Sequence, residues 1–217
     1  MTAARRVQIV IGLLIALAIP FCHRLMTGAF STFDIWGGEV FWWLLLLIVL
    51  LYVLLVERKP LSSLGYATPG VLDVVLGVLA GVVAVAGIGI IFQKVLPAMH
   101  LAVSQQMSSL LAMPFLFRAA LVTRAAFVEE TLFRGYGFER IAELTKSAPL
   151  AALATWVIFS MAHLTSWGWG QVIIAAWGGL VLTLLYWWRR NLWANIVCHW
   201  LTDGAGFLLM PIFVHHA

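Results

Sequence analysis

Apolar residues run along this chain in long stretches broken by short polar segments. The stretches lie near 7 to 22, 40 to 56, 71 to 93, 110 to 140, 149 to 164, 171 to 188 and 192 to 214. They reach or approach the roughly 17 to 25 residues that a helix rising about 1.5 Å per residue needs to cross about 30 Å of hydrocarbon. They do not alternate apolar and polar positions as membrane barrel strands do. The pattern predicts an all-α, polytopic transmembrane helix bundle of seven or eight membrane helices. Arg5 and Arg6 precede the first stretch as in a signal peptide, but its end at Ile19-Pro20-Phe21-Cys22-His23-Arg24 has no small-x-small cleavage site, so it reads as the first span.

The breaks have their own signals. Glu57 to Tyr66 is polar and, with Pro60, Gly65, Pro69 and Gly70 close by, reads as a cytoplasmic loop. Leu96 to Ser109, with Pro97, His100, Ser104, Gln105 and Gln106, reads as an outer loop or interfacial helix. Gly77-x-x-x-Gly81 in the third span allows a close helix crossing. Most tryptophans (Trp36, Trp42, Trp43, Trp167, Trp169, Trp187, Trp188, Trp193) sit at span ends, where an amphipathic ring anchors at headgroup depth.

Composition agrees: 63% hydrophobic and 10% charged residues are far from soluble averages near half apolar and a quarter charged. The net charge of +4 does not indicate a nucleic-acid partner, because the basic residues stand at span ends. With the N-terminus in the cytoplasm, Arg5, Arg6, Arg58, Lys59, Arg140, Lys146, Arg189 and Arg190 are all cytoplasmic, while Arg24 and Lys94 are outside. A multi-pass cell-membrane protein in that orientation is expected. The cysteines, Cys22 and Cys198, lack Cys-x-x-Cys spacing and read as buried small side chains.

Ionisable residues inside a span are costly and persist where they face a cavity or a partner. Glu129-Glu130, His163, His199 and Asp203 are such residues. Glu130 and Arg134 are four apart and can pair on one helical face, which leaves Glu129, turned by about 100°, as a candidate general base. A turn at Thr145 to Ala148 puts Glu129 and His163 each some 15 residues, roughly 22 Å, from it on an antiparallel hairpin, so they can meet. His199 and Asp203, at i and i+4, share a face of the last span. His23, His100, His215 and His216 carry no expected role, and Asp34, Glu39 and Asp73 read as interfacial.

These residues resemble the motifs of the CPBP family, the CAAX proteases and bacteriocin-processing enzymes also called Abi. Glu-Glu-x-x-x-Arg corresponds to Glu129, Glu130 and Arg134; Phe-x-x-x-His to Phe159 and His163; His-x-x-x-Asn/Asp to His199 and Asp203, where eukaryotic members carry Asn. Leu61 to Tyr66 resembles a segment frequent ahead of the family's core. The resemblance implies N-terminal membrane helices over 1–109 and a catalytic core over 110–217. It further implies an intramembrane endopeptidase that cuts peptide or membrane-protein substrates in the bilayer without a covalent intermediate. Glu129 and His163 would activate water, His199 and Asp203 would support the oxyanion, and Glu130, Arg134 and Phe159 would support them, in a cavity open toward the cytoplasmic side. No cofactor is expected; the alternative is zinc on Glu129, His163 and His199.

Other classes are weighed on the same residues. No Gly-x-Ser-x-Gly, His-Glu-x-x-His or Gly-x-Gly-Asp occurs for serine, zinc or aspartyl intramembrane enzymes. A proton-coupled transporter would use similar Glu and His residues, but no paired Gly/Pro-broken segments appear in matching halves. A non-catalytic membrane scaffold is the remaining alternative.

Overall fold

A computed structural model describes residues 1–19, 35–102 and 105–209. Cys22, His23, Arg24, Asp34, Ser104, His215 and His216 lie outside these residues, and the side chains of Trp36, Gln105 and Gln106 are likewise outside the description. Every regular element among the described residues is helical.

Each of the seven apolar stretches is largely helical over its described residues, with a break at 112–114. Thr2 accepts the Arg5 amide and starts α1 (Ala3–Leu13), which continues through a π-helical turn, Leu14–Ala18. Helix α2 (Ile35–Leu51) likewise extends through Tyr52–Val56. Helix α3 (Val71–Ile90) runs on through Ile91–Val95, and a short outer helix α4 (Gln105–Leu111) follows. Helix α5 (Phe115–Glu129) passes into a nine-residue π-helical segment, Glu130–Phe138, and then α6 (Glu139–Thr145). Lys146 in a left-handed conformation ends α6, and the Ser147 hydroxyl caps α7 (Ala148–Ala162), with Pro149 in its first turn. Helix α8 (Leu164–Arg189) bends at Gly168, and α9 (Leu192–Gly204), capped by Asn191, continues through Ala205–Leu209.

Three of these helical stretches, Gly37–Val56, Val71–Ala98 and Trp167–Arg189, are long and apolar enough to cross a membrane. Ala148–Ala162 is apolar but shorter. The α5–α6 stretch carries too much charge to pass the same test by composition; Glu130, Arg134 and Arg140 are almost wholly buried in protein. Large apolar side chains of α2 and α3, among them Leu44, Leu47, Ile48, Leu79, Val82 and Val83, are exposed. Such a surface has a natural solvent in lipid. Helix α3 packs closely on α9, and a Cβ at Gly77 would come within 2.5 Å of the Ala194 carbonyl, which explains the small residue there.

Polar side chains lock one end of the bundle. Glu57 takes Arg140 Nε at 2.8 Å, the Tyr136 hydroxyl at 2.9 Å and Arg5 Nη1 at 3.2 Å. Glu143 takes Arg5 Nε at 2.8 Å and Lys59 Nζ at 2.9 Å. The segment expected as a cytoplasmic loop is a packed strap: Leu64 is fully buried, the Leu64 carbonyl accepts the Tyr186 hydroxyl, and the Gly65 carbonyl accepts the Leu192 amide. Gly65 has φ of 86°, and a Cβ there would lie 2.6 Å from the Tyr186 hydroxyl. Thr131 donates its one hydroxyl proton to the Phe127 carbonyl, so Tyr66 is the donor in the 2.6 Å contact between their hydroxyls. Asp73, read as interfacial, is buried and bound by Arg189 at 2.7 Å and Asn191 at 2.9 Å.

Candidate functional site

The π-helical segment begins one residue after Glu129, at Glu130. Widened turns of this kind are rare and recur at functional sites. Here the widening keeps the i, i+4 pair: Arg134 Nη1 donates to Glu130 Oε1 at 2.9 Å. His199 Nδ1 reaches the same oxygen at 2.8 Å, and Asn195 Nδ2 reaches Oε2 at 3.0 Å. Glu130 is fully buried with both oxygens occupied, so it organises its neighbours and has no oxygen left for a water.

Arg134 also donates to the Gly179 carbonyl at 3.0 Å and lies 4.2 Å over the ring of Phe159. Phe159 meets Phe133 and His163 edge-on at 5.2 and 4.9 Å. A Cβ at Gly179 would press to 2.8 Å from Phe159, so this position needs a glycine. Phe159 thus connects the buried Glu130–Arg134 pair to His163.

His163 ends α7, and its Nδ1 lies 2.9 Å from the Phe159 carbonyl. A carbonyl only accepts, so Nδ1 carries a proton and Nε2 is the ring nitrogen left for other contacts. His199 Nε2 lies 3.4 Å from Asp203 Oδ2, so each of its ring nitrogens faces a carboxylate. Of the two, the Nδ1 contact with Glu130 has hydrogen-bond geometry, and the Nε2 contact with Asp203 is a longer ion-pair approach.

Glu129, Phe159, His163, His199 and Asp203 line one cavity of about 550 Å³; the buried Glu130 and Arg134 are not among its lining residues. The four residues singled out for chemistry therefore share one space, on three different helical stretches. Glu129 is not free of cations, as its position on the helix suggested: Arg124 Nη1 lies 3.5 Å from its Oε1. Arg124 is held mainly by Glu39, at 3.1 Å from both Nε and Nη2, and stacks on Trp42. Glu39, read as interfacial, is buried at the cavity wall, and Trp42 and Trp167 are cavity wall as well as candidate anchors.

Sequence reasoning missed Asn195, Arg124 and Glu39. Asn195 stands four residues before His199 on the same face, a signal that was legible. Nothing local marks Glu39, which reaches Arg124 across 85 residues.

The cavity lies in the half of the bundle away from the locked end. It takes Gly38 and Glu39 from the start of α2, Ser109 from α4, Trp167 from α8 and Phe207 beyond α9. The expectation of a cavity open toward the basic turns does not agree with this placement. For the alternative zinc set, His199 Nδ1 is bonded to Glu130 while Nε2 faces Asp203, and no three His, Cys, Asp or Glu side chains among the described residues are grouped to hold a metal.

Residues 107–205 match the family model described as Rce1-like, type II CAAX prenyl endopeptidase Rce1-like. The matched stretch contains every motif residue from Glu129 to Asp203 and stops short of Glu39 on its N-terminal side. No curated protein and no solved structure matches the chain.

Proposed function

We propose, from the premise that residues 107–205 belong to the Rce1-like CAAX endopeptidase family, that the chain is an intramembrane endopeptidase of glutamate type. The observation that carries this reading is the shared cavity: Glu129 lines it with Oε2 unengaged, and His163 lines it with Nε2 left over from the Phe159 contact. A water held between them would give a proton to Glu129 as its oxygen attacks the scissile carbonyl. Glu129 would then pass that proton to the leaving amine.

Negative charge growing on the carbonyl oxygen needs a donor fixed in advance. His199, held through Nδ1 by Glu130, is that donor through Nε2, whose 3.4 Å approach to Asp203 is the longer of its two contacts, and Arg134 and Asn195 hold Glu130 in place. Arg124 fixes Oε1 of Glu129. In this reading no metal takes part. Zinc on Glu129, His163 and His199 would require His199 Nε2 to leave Asp203, and its chemistry there would be to polarise the attacking water.

The substrates are peptides or membrane-protein segments, met in the bilayer. The chain is multi-pass with a cytoplasmic N-terminus, supported by the eight basic residues that collect at the locked end. Residues 1–109 serve as membrane helices that complete the cavity wall, and 110–217 as the catalytic core; nucleic acid is not a partner.

Cleavage of a quenched fluorescent peptide library by detergent-purified protein tests the reading. Glu129→Ala and His163→Ala should abolish cleavage while retaining the wild-type thermal unfolding profile. Full activity in either variant overturns the assignment.

A further inference from the structure

We infer that the cavity is reached from the extracytoplasmic side of the membrane, so that the substrates are segments of exported or membrane-anchored chains presented from that side. The inference rests on the proteolytic reading for the word substrate, but its geometry is independent of it.

The locked end fixes the reference plane. Arg5, Lys59, Arg140, Arg189 and Arg190 meet there in ion pairs with Glu57, Glu143, Asp73 and Glu139. With Arg6, Arg58 and Lys146 this end carries eight basic residues, against Arg24 and Lys94 toward the other side by span order and Arg118 and Arg124 in the first ten residues of α5. Short basic turns stay in the cytoplasm, so this is the cytoplasmic end.

The cavity-lining residues stand at a range of depths from that plane. At about 1.5 Å per residue, Glu39 is about 27 Å along its helix from Glu57, His163 about 22 Å from Ala148, and Gln171 about 27 Å from Arg189. His199 and Leu182 are the shallowest, each about 10 Å along its helix, from Leu192 and Arg189 respectively. In a hydrocarbon layer of about 30 Å the cavity therefore spans the middle and the far third.

The near end is also closed. Between the cavity and the cytoplasmic plane stand Tyr136, Phe138, Arg140, Tyr186 and Leu64, all almost fully buried, with the strap at 60–70 laced over them by the Leu64, Gly65 and Ser63 contacts. A peptide entering from the cytoplasm would have to break that lattice. Entry from the far half meets the cavity directly at Ser109 and Trp167.

Single cysteines in a Cys22→Ser, Cys198→Ala background of the full chain, expressed in cells, test the sidedness. In intact cells a membrane-impermeant maleimide should label Ser109→Cys, and should label Lys146→Cys only after permeabilisation. The reverse pattern overturns the inference. A second arm adds the quenched peptide library outside sealed vesicles. Right-side-out vesicles carrying wild-type protein should cleave it and inside-out vesicles should lose that activity; faster cleavage by inside-out vesicles overturns the inference. Wild-type protein silent in both orientations, with the labelling pattern as expected, would count against the proteolytic reading alone.

Discussion

Glu129 and Glu130 are neighbours with opposite situations. Glu130 is buried, takes hydrogen bonds on both oxygens and balances Arg134, so removing it leaves a guanidinium without its counter-charge in the protein interior. Breaking a buried pair in this way costs about 3–5 kcal/mol. Glu130→Ala should therefore show a clearly lowered thermal midpoint in detergent, whereas Glu129→Gln should unfold like the wild type; equal midpoints for all three would contradict the division of roles. Glu39 acts one step further away, because it holds the arginine that holds Glu129. Glu39→Gln should lower kcat by roughly tenfold, about 1.4 kcal/mol of barrier, with little change in KM; an unchanged kcat would make the contact purely structural. At this scale the sequence discloses what is local. Glu130–Arg134 and His199–Asp203 follow from helical spacing, and the Glu39–Arg124 contact does not, because it is made by folding two distant helices together.

The helices themselves follow from their apolar runs, but their winding does not. A 3.6-residue period carries no sign of the π-helical segment Glu130–Phe138, which arises where a run of fully buried side chains must be accommodated between neighbouring helices. The strap at 60–70 misleads for a related reason: Pro60, Gly65 and Gly70 signal a turn, and turns are ordinarily on the surface, but here Gly65 lets the backbone approach Tyr186 closely. Gly65→Ala should cost roughly 1–3 kcal/mol of stability, from a non-glycine left-handed residue and the clash together. The thermal midpoint checks this, and an unaffected midpoint would mean the strap is not part of the packed core. Glu143, at the locked end of the bundle on α6, is held down to about 2 by its Arg5 hydrogen bond foremost and by Lys59, against its ordinary 4.5. A lowered folded-state value means that the stabilisation is complete above 4.5 and is lost as pH falls toward 2. Thermal midpoints measured down that range should fall more for the wild type than for Glu143→Gln. Parallel curves would show that the tie between α1 and α6 is not linked to this carboxylate.

For the whole molecule, hydropathy and the positive-inside rule carry the architecture a long way: an all-helical chain with apolar faces turned outward and charge gathered at one end. What those signals leave out is where the cavity sits between the ends, because depth depends on which residues of each helix face inward and not on where each helix starts. The residues that close the cavity, Glu39 and Trp42 among them, come from outside the stretch that matches the CAAX endopeptidase family, so the N-terminal helices are part of the site wall. The central claim, that this wall encloses a glutamate-activated water, is tested most directly by cleavage of the quenched peptide library by purified wild-type and Glu129→Gln protein. Each should be assayed with and without a chelator, followed by zinc restoration. The account predicts activity that survives chelation and disappears in Glu129→Gln. Activity abolished by the chelator and restored by zinc, or retained in Glu129→Gln, would contradict it.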